Sequence, residues 1–151
     1  ATEEVVDLRT GEIDMAIRYA KYPPADLESK ALYRDCFFPV CSPRVLEGLP
    51  QNDWVNATKQ MTLLHYHWRR KDPDAPSWAL WRTKARMVDP RAEEIDIERG
   101  LTLSEEFLAI EAAIAGQGVV LASSVLVQRE LQAGLLKCVC DVRLPGRTFY
   151  A

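Results

Sequence analysis

No stretch of this 151-residue chain approaches the roughly 20 consecutive apolar residues that carry a helix across a bilayer, and no secretory signal pattern opens it. The expectation is a cytoplasmic protein with no membrane partner. Positive charge is not in excess: 19 Lys and Arg face 22 Asp and Glu, for a formal net charge of -3. That balance argues against this segment gripping a nucleic-acid backbone by itself, which takes a concentrated basic surface. Histidine is scarce, at His65 and His67 only. No Gly-x-Ser-x-Gly elbow occurs either, so no nucleophile–base–orienter set can be assembled. The acid pairs Glu93-Glu94 and Glu105-Glu106 are chain neighbours rather than carboxylates opposed across a cleft, which excludes glycosidase geometry. We expect a protein that is not an enzyme and carries no cofactor. The four cysteines, Cys36, Cys41, Cys138 and Cys140, do not follow the spacing of a disulfide-stapled scaffold. Reduced thiols are the simplest reading.

What is present is a soluble, core-forming composition, 48% apolar and 27% charged, at a length that favours one domain. Thr2 is placed to cap a short helix with Val5, Val6 and Leu8 on its apolar side and Gly11 as its stop. EIDMAIRY (12–19) alternates, with Ile13, Met15, Ile17 and Tyr19 on one face, and reads as a strand. After a proline-stiffened loop at 21–28, SKALYRDCFFPVCSP (29–43) reads as one long strand in which Pro39 marks an edge or a bend. Ser42-Pro43 starts a short helix through Leu46. TLLHYHW (62–68) is a further strand. Asp74 to about Val88 is a helix built on Trp78, Leu80, Trp81 and Ala85, and DPRAEEIDIERG is a polar link to the strand LTL. Ser104 is placed to cap a helix that turns Phe107, Ile110, Ala113 and Ile114 inward. That helix ends at Gly116, VVLAS (119–123) is a buried strand, and Ser124 caps the next helix, which Gly134 closes. Alternating strands and helices predict an α/β protein with crossover connections and much parallel pairing.

The pair Gly116-Gln-Gly118 raises the question of a phosphate loop. Phosphate loops run strand, glycines, helix, so that free amides at a helix N-terminus meet the anion. Here the order is helix, glycines, strand, and a helix C-terminus presents carbonyls. The expected role is a helix stop that turns into a strand.

DLRTGEIDMAIRYA, FFPVCSP, TLLH and FLAIEAAIAGQGVVLASSVLVQRELQAGLL together resemble, in order and spacing, the effector-binding domain of LysR-type transcriptional regulators. The resemblance is to the branch holding the glycine-cleavage activator and the β-lactamase regulators. It covers nearly the whole chain. It implies a two-lobed, type 2 periplasmic-binding-protein-like α/β fold, with mixed sheets, flanking helices, and lobe one incomplete at both chain ends. On that mapping 1–40 and 143–151 form lobe one and 41–142 lobe two, with crossings near Val40-Cys41 and Val142-Arg143. It further implies a cytoplasmic bacterial regulator in which a small effector binds between lobes and alters the arrangement of DNA-binding modules missing from this chain. Partners would be the effector, a second copy or three more in a homodimer or homotetramer, and promoter DNA through the missing N-terminal domain. The alternative is a periplasmic-type solute-binding protein for transport, which shares the two-lobed architecture.

Ligands of such sheets lie outside the carboxyl ends of parallel strands and near helix N-termini. Three places qualify, and all are expected to bind effector. The first is Ile17, Arg18 and Tyr19, where Arg18 offers a planar fork for a carboxylate. The second is Leu103, Ser104 and Glu105, a strand-to-helix junction with free amides; two acids in its first turn favour an effector with a positive or neutral group, such as an amino acid. The third is Leu64 and His65 in LLHYHW. His65-x-His67 with Cys138-x-Cys140 would make a four-ligand zinc set were their strands neighbours. The family resemblance implies no metal, and none is expected. Cys36 and Cys41 fall in an expected buried strand, where thiols are inert.

Overall fold

The computed structural model describes residues 13–23, 25, 27–50, 52–68 and 73–151; the helix expected between Thr2 and Gly11 lies outside them. Two compact units divide the chain. One holds 1–35 with 146–151 and the other 36–145.

The larger unit is built on a mixed sheet. Its members are the second half of β2 (Ala31–Cys41), β3 (Leu63–Tyr66), β4 (Gly100–Leu103), β5 (Val119–Ser123) and the two-residue β6 (Lys137–Cys138). β5 pairs antiparallel with β2 and parallel with β3, β3 pairs parallel with β4, and β6 runs antiparallel to β2. Helices cover both faces, so the central strands are apolar on both sides rather than alternating. Phe37, Cys41, Leu63, Val119 and Leu121 face one core with Val55 of α2 (Trp54–Gln60) and with Trp78, Trp81 and Ala85 of α3 (Trp78–Ala85). Phe38, Val40, Leu64, Val120 and Ala122 face the other, with Ala109, Ile110 and Ala113 of α4 (Glu106–Ile114). The runs FFPVC and VVLAS are read directly in this pattern, since adjacent residues serve opposite cores.

Pro39 sits inside β2 without disrupting it. Its carbonyl accepts from the Val139 N–H at 2.9 Å, so its donor-less nitrogen faces β6, the side where pairing is two residues long. The short helix α1 (Pro43–Leu46) starts on proline as expected, although Ser42 makes no side-chain cap. α2 falls in a stretch where no element was expected; its cap is Asp53, whose carboxylate accepts from the Asn56 N–H. The expected helix over 74–88 is shorter, because Ser77, not a residue near 74, caps it through the Leu80 N–H. The expected polar link holds a 3-10 turn, Pro90–Glu94, and buries Ala92, Ile95 and Ile97. Arg91 ties this turn down through Asp89 and Asp53. The Asn56 amide first, then Arg91, holds the Asp53 carboxyl below its ordinary range; Arg91 does so for Asp89.

The two glycines that end α4 do different jobs. Gly116, at φ +80, takes the left-handed position after the helix. Its N–H donates to the Ala113 carbonyl and that of Gln117 to the Ala112 carbonyl, the paired bonds of a Schellman stop. Gly118 has a different reason: a Cβ there would collide with the Thr62 carbonyl, where the Val119 N–H donates to that same carbonyl and opens the β5–β3 pairing. Three other expectations change. Glu105, not Ser104, occupies the cap position of α4. Phe107 is 55% exposed, because small Ala109 and Ala113 let the helix approach the sheet and leave Phe107 on its flank. Ser124 does not cap α5 (Gln128–Gln132), whose cap position is Val127; its hydroxyl instead accepts from the Cys36 N–H at 3.3 Å.

In the smaller unit β1 (Arg18–Ala20) runs antiparallel to β7 (Leu144–Tyr150), pairing Arg18 with Tyr150 and Ala20 with Thr148. The strand expected over 12–19 is therefore confined to its end. β7 offers partners as far as Tyr150, and upstream of Arg18 the apolar Ile13, Met15 and Ile17 are exposed rather than sharing a buried face. Tyr19 stacks on Phe149 at 4.7 Å between centroids.

Trp81 is the side chain on which the α3 face most depends. It is fully buried, meets Trp54 and Trp78 edge-on at 5.8 and 5.3 Å, and donates from Nε1 to the Val142 carbonyl at 3.0 Å. Trp81→Ala is expected to cost about 3–5 kcal/mol in urea unfolding. Trp81→Phe, which fills most of the volume but leaves the carbonyl unpaired, should cost about 1–3 kcal/mol. Equal losses for the two variants would show that the indole hydrogen bond carries the effect and the volume none.

Candidate ligand-binding site

Three parallel strands of the larger unit end together. β3 stops at Tyr66, β4 at Leu103 and β5 at Ser123, and the register sets Tyr66 beside Leu103. α4 begins at the same edge. Its first turn lies beside the strand ends, where helix starts and strand ends commonly meet a ligand.

This edge is held by specific bonds. Glu106 Oε1 accepts from the Ser123 N–H at 2.8 Å, which locks the start of α4 to the end of β5. Ser123 Oγ accepts from the Val125 N–H at 3.3 Å, and the Tyr66 hydroxyl donates to the Leu121 carbonyl at 3.2 Å. The His67 N–H donates to the Leu103 carbonyl, prolonging the β3–β4 pairing past the strand end. Ser104 is exposed and Glu105 half-buried. The result is a rim that carries the exposed Ser104 hydroxyl and the half-buried Glu105 and Glu106 carboxylates.

The expected site residues separate. Leu103, Ser104 and Glu105 stand on this rim. Leu64 lies inside: at 1% exposure it belongs to the core against α4. His65 is half-buried and by strand alternation faces the side of Leu63, away from α4. Its Nε2 is enclosed and meets no hydrogen-bond partner. His67 lies beyond the end of β3, so the two histidines do not share a strand face. β6 lies on β2 whereas β3 lies between β5 and β4, so the His-x-His and Cys-x-Cys pairs are not on neighbouring strands. Ile17, Arg18 and Tyr19 belong to the smaller unit. Ile17 is 63% exposed, and the Tyr19 hydroxyl donates to Asp35 Oδ2 at 3.2 Å and accepts from the Arg147 N–H at 3.1 Å. Glu106 and Ser123 escaped the sequence reading as a pair, because nothing in the spacing of residues 17 apart announces a side chain on a backbone amide.

The thiols differ among themselves. Burial pushes Cys41 and Cys140 up to about 12. Cys36 is half-buried rather than core, and its Sγ accepts from Arg143, whose guanidinium lies 4.3 Å over the Phe38 ring.

The sequence matches the family model described as the LysR substrate binding domain over residues 1–151. The chain belongs to that family. It is 32% identical over 151 residues to the glycine cleavage system transcriptional activator of Escherichia coli K12, covering 99% of this chain and 46% of that protein. It is 30% identical over 140 residues to the homologue from Haemophilus influenzae, covering 92% of this chain and 42% of that one. The chain thus spans about half the length of the curated relatives it matches. Among solved structures, the effector domain of AmpR of Pseudomonas aeruginosa aligns with a TM-score of 0.64 at 23% identity, covering 97% of this chain and 64% of that one. The AmpR effector-binding domain of Citrobacter freundii gives the same score at 21% identity, covering 97% and 66%. The periplasmic-binding-protein-like α/β fold implied by the sequence is the fold found. The named relatives are transcriptional regulators, which does not favour the transport alternative.

The rim makes one bond testable without knowing a ligand. Removing the Glu106 carboxylate with Glu106→Ala should cost about 1–3 kcal/mol, the worth of a charge-assisted hydrogen bond to the Ser123 amide. Glu106→Gln, which keeps an acceptor, should recover most of it. Urea midpoints that do not separate Ala from Gln would remove this bond from the account.

Proposed function

We propose that this chain is the effector-sensing part of a LysR-type transcriptional regulator, with the larger unit serving as lobe two and the smaller as lobe one. The observation that carries the reading is the rim where β3, β4 and β5 end beside the start of α4, in a chain of the LysR substrate-binding family. A small molecule seated there biases the regulator only by the difference in its affinity for the arrangements it can adopt. The whole regulator acts on promoter DNA through modules outside this chain, in the cytoplasm.

Leu103, Ser104 and Glu105 are the proposed effector contacts on the rim of the larger unit, and Ile17, Arg18 and Tyr19 are those proposed within the smaller unit. His65, half-buried on β3, is a further proposed effector contact. The carboxylates of Glu105 and Glu106 set the charge preference. Glu106 is spent on Ser123, and Glu105 turns the helix start away from bare anions and toward an effector with a positive or neutral group. A thermal-shift screen of amino acids, cell-wall fragments and aromatic acids should give at least one compound that raises the melting midpoint by mass action. For a cationic hit, Glu105→Gln should weaken binding by about tenfold or less. Tighter binding of a zwitterion by Glu105→Gln than by wild type would overturn the assigned role, and no shift across the whole panel would count against ligand sensing.

Self-association uses an apolar face of the same unit. Phe107 and Leu108 of α4 are exposed, as are Val125 and Leu126 after β5 and Leu101 of β4, and exposed apolar clusters of this kind mark interfaces. A C2 pair is the simplest closed assembly. Phe107→Glu is expected to shift the chain toward monomer in sedimentation equilibrium with its melting midpoint little changed. A dimer of undiminished strength would place the interface elsewhere.

A further inference from the structure

The chain passes between its two units twice, at 35–36 and at 145–146. The larger unit therefore has two exits: Cys36 on β2, and the segment 142–145 that runs into β7.

Each exit is fastened to the larger unit by its own set of bonds. The Ser124 N–H donates to the Cys36 carbonyl at 2.8 Å, and the Ser124 hydroxyl accepts from the Cys36 N–H at 3.3 Å. One residue just past β5 thus engages both backbone groups of Cys36. At the other exit α3 holds two successive carbonyls. Trp81 Nε1 donates to that of Val142 at 3.0 Å, and Lys84 Nζ donates to that of Arg143 at 2.6 Å. The side chains of Val142 and Leu144 are buried in the core beside Trp81, so the backbone that carries Arg143 is fixed on both sides of it.

One side chain joins the exits. Arg143 is exposed, yet its guanidinium lies 4.3 Å over the Phe38 ring and its Nη1 donates to Cys36 Sγ at 3.8 Å. Phe38 is buried in β2, two residues from Cys36, so the ring is a fixed platform. The Asp141 carboxylate also approaches Arg143, at 4.0 Å, but it is fully exposed, and an ion pair of that kind in water contributes little. The ring and the thiol set the direction of the side chain. A guanidinium is planar and weakly hydrated, so its face stacks on a ring while an N–H in its plane reaches a neighbouring acceptor. An ammonium can do the first and not both. The two strands then enter the smaller unit close together, where a Cβ on Gly146 would meet the Asp35 backbone and its Cβ at 3.0 Å.

We propose that Arg143 is a latch that ties the two exits of the larger unit to one another and so limits the freedom of the smaller unit they carry. Hinges work through a few residues at element ends that absorb changes in φ and ψ. Two exits that are bound to each other must change together, whereas two loose exits change independently. The latch goes beyond effector binding, since it acts in the ligand-free chain and uses none of the residues proposed to meet the effector.

Residual dipolar couplings on the ligand-free chain test it. Each unit reports its own degree of alignment, and the ratio of smaller to larger falls as the smaller unit gains freedom. Arg143→Gln should lower that ratio below wild type with the melting midpoint little changed, because the side chain is exposed. Arg143→Lys, which keeps a cation over the ring, should recover part of it. The Cys36 and Ser124 amides should exchange about two- to fivefold faster in Arg143→Gln, the factor an exposed cation–π contact supplies. Arg86→Gln removes an exposed arginine paired with Glu93 at 3.2 Å elsewhere on the larger unit and should change neither reading. A ratio in Arg143→Gln equal to that of wild type overturns the latch, whatever the melting midpoint does. So does an equal fall in Arg86→Gln. Cys36→Ala, which removes only the thiol acceptor, keeps the test decisive should Arg143→Gln unfold: its ratio falls if the latch exists, and an unchanged ratio overturns it.

Discussion

The burial of β5 on both faces is the constraint from which the larger unit follows. All five residues from Val119 to Ser123 are buried, and the strand is hydrogen-bonded on one side to β2 and on the other to β3. A strand with no wet face cannot alternate apolar and polar residues, and it needs a helix layer on each side. α4 supplies one, using Ala109 and Ala113 to come close; α2 and α3 supply the other with Val55, Trp78 and Trp81. Gly118 is part of the same constraint, since β5 can begin beside Thr62 only where no Cβ intervenes.

The rim inherits its rigidity from that strand. Ser123 is the last residue of β5, and its amide is where Glu106 fastens the start of α4. A ligand meeting the first turn of α4 therefore meets groups fixed relative to a fully buried strand, which is the preorganisation that makes a few polar contacts sufficient for recognition. Sensing asks this of a site and asks for no reactive constellation. The rim carries the Ser104 hydroxyl and the Glu105 and Glu106 carboxylates. The chain belongs to the LysR substrate-binding family, and the relatives named above are transcriptional regulators.

Much of this was legible in the sequence where a local rule decides the outcome. FFPVC and VVLAS announced buried strands because both faces are covered. The direction of Gly116-Gln-Gly118 removed a phosphate loop, and the structure shows a Schellman stop followed by a close backbone approach. Legibility failed where a tertiary partner decides. Tyr19 was placed on a strand, but the strand's length depends on how far β7 runs beside it. Ser104 and Ser124 look like caps, yet Glu105 takes one cap position and Ser124 serves Cys36 across 88 residues. Leu64 sits in a motif that resembles a ligand-site strand, but its own side chain turns to the core. α2 was missed because WVNATKQ carries a weak pattern whose apolar residues are buried by the 3-10 turn and α3 rather than announced by periodicity.

Native-state amide hydrogen exchange on the ligand-free chain tests the central claim most directly, because it reports local opening free energy residue by residue. The account predicts that the β5 amides are among the slowest in the larger unit and that the Ser123 amide, bonded to Glu106, exchanges as slowly as the strand interior. Exchange of Ser123 at the rate of the exposed turn at Val125 and Leu126, or a β5 that opens before α3, would contradict it.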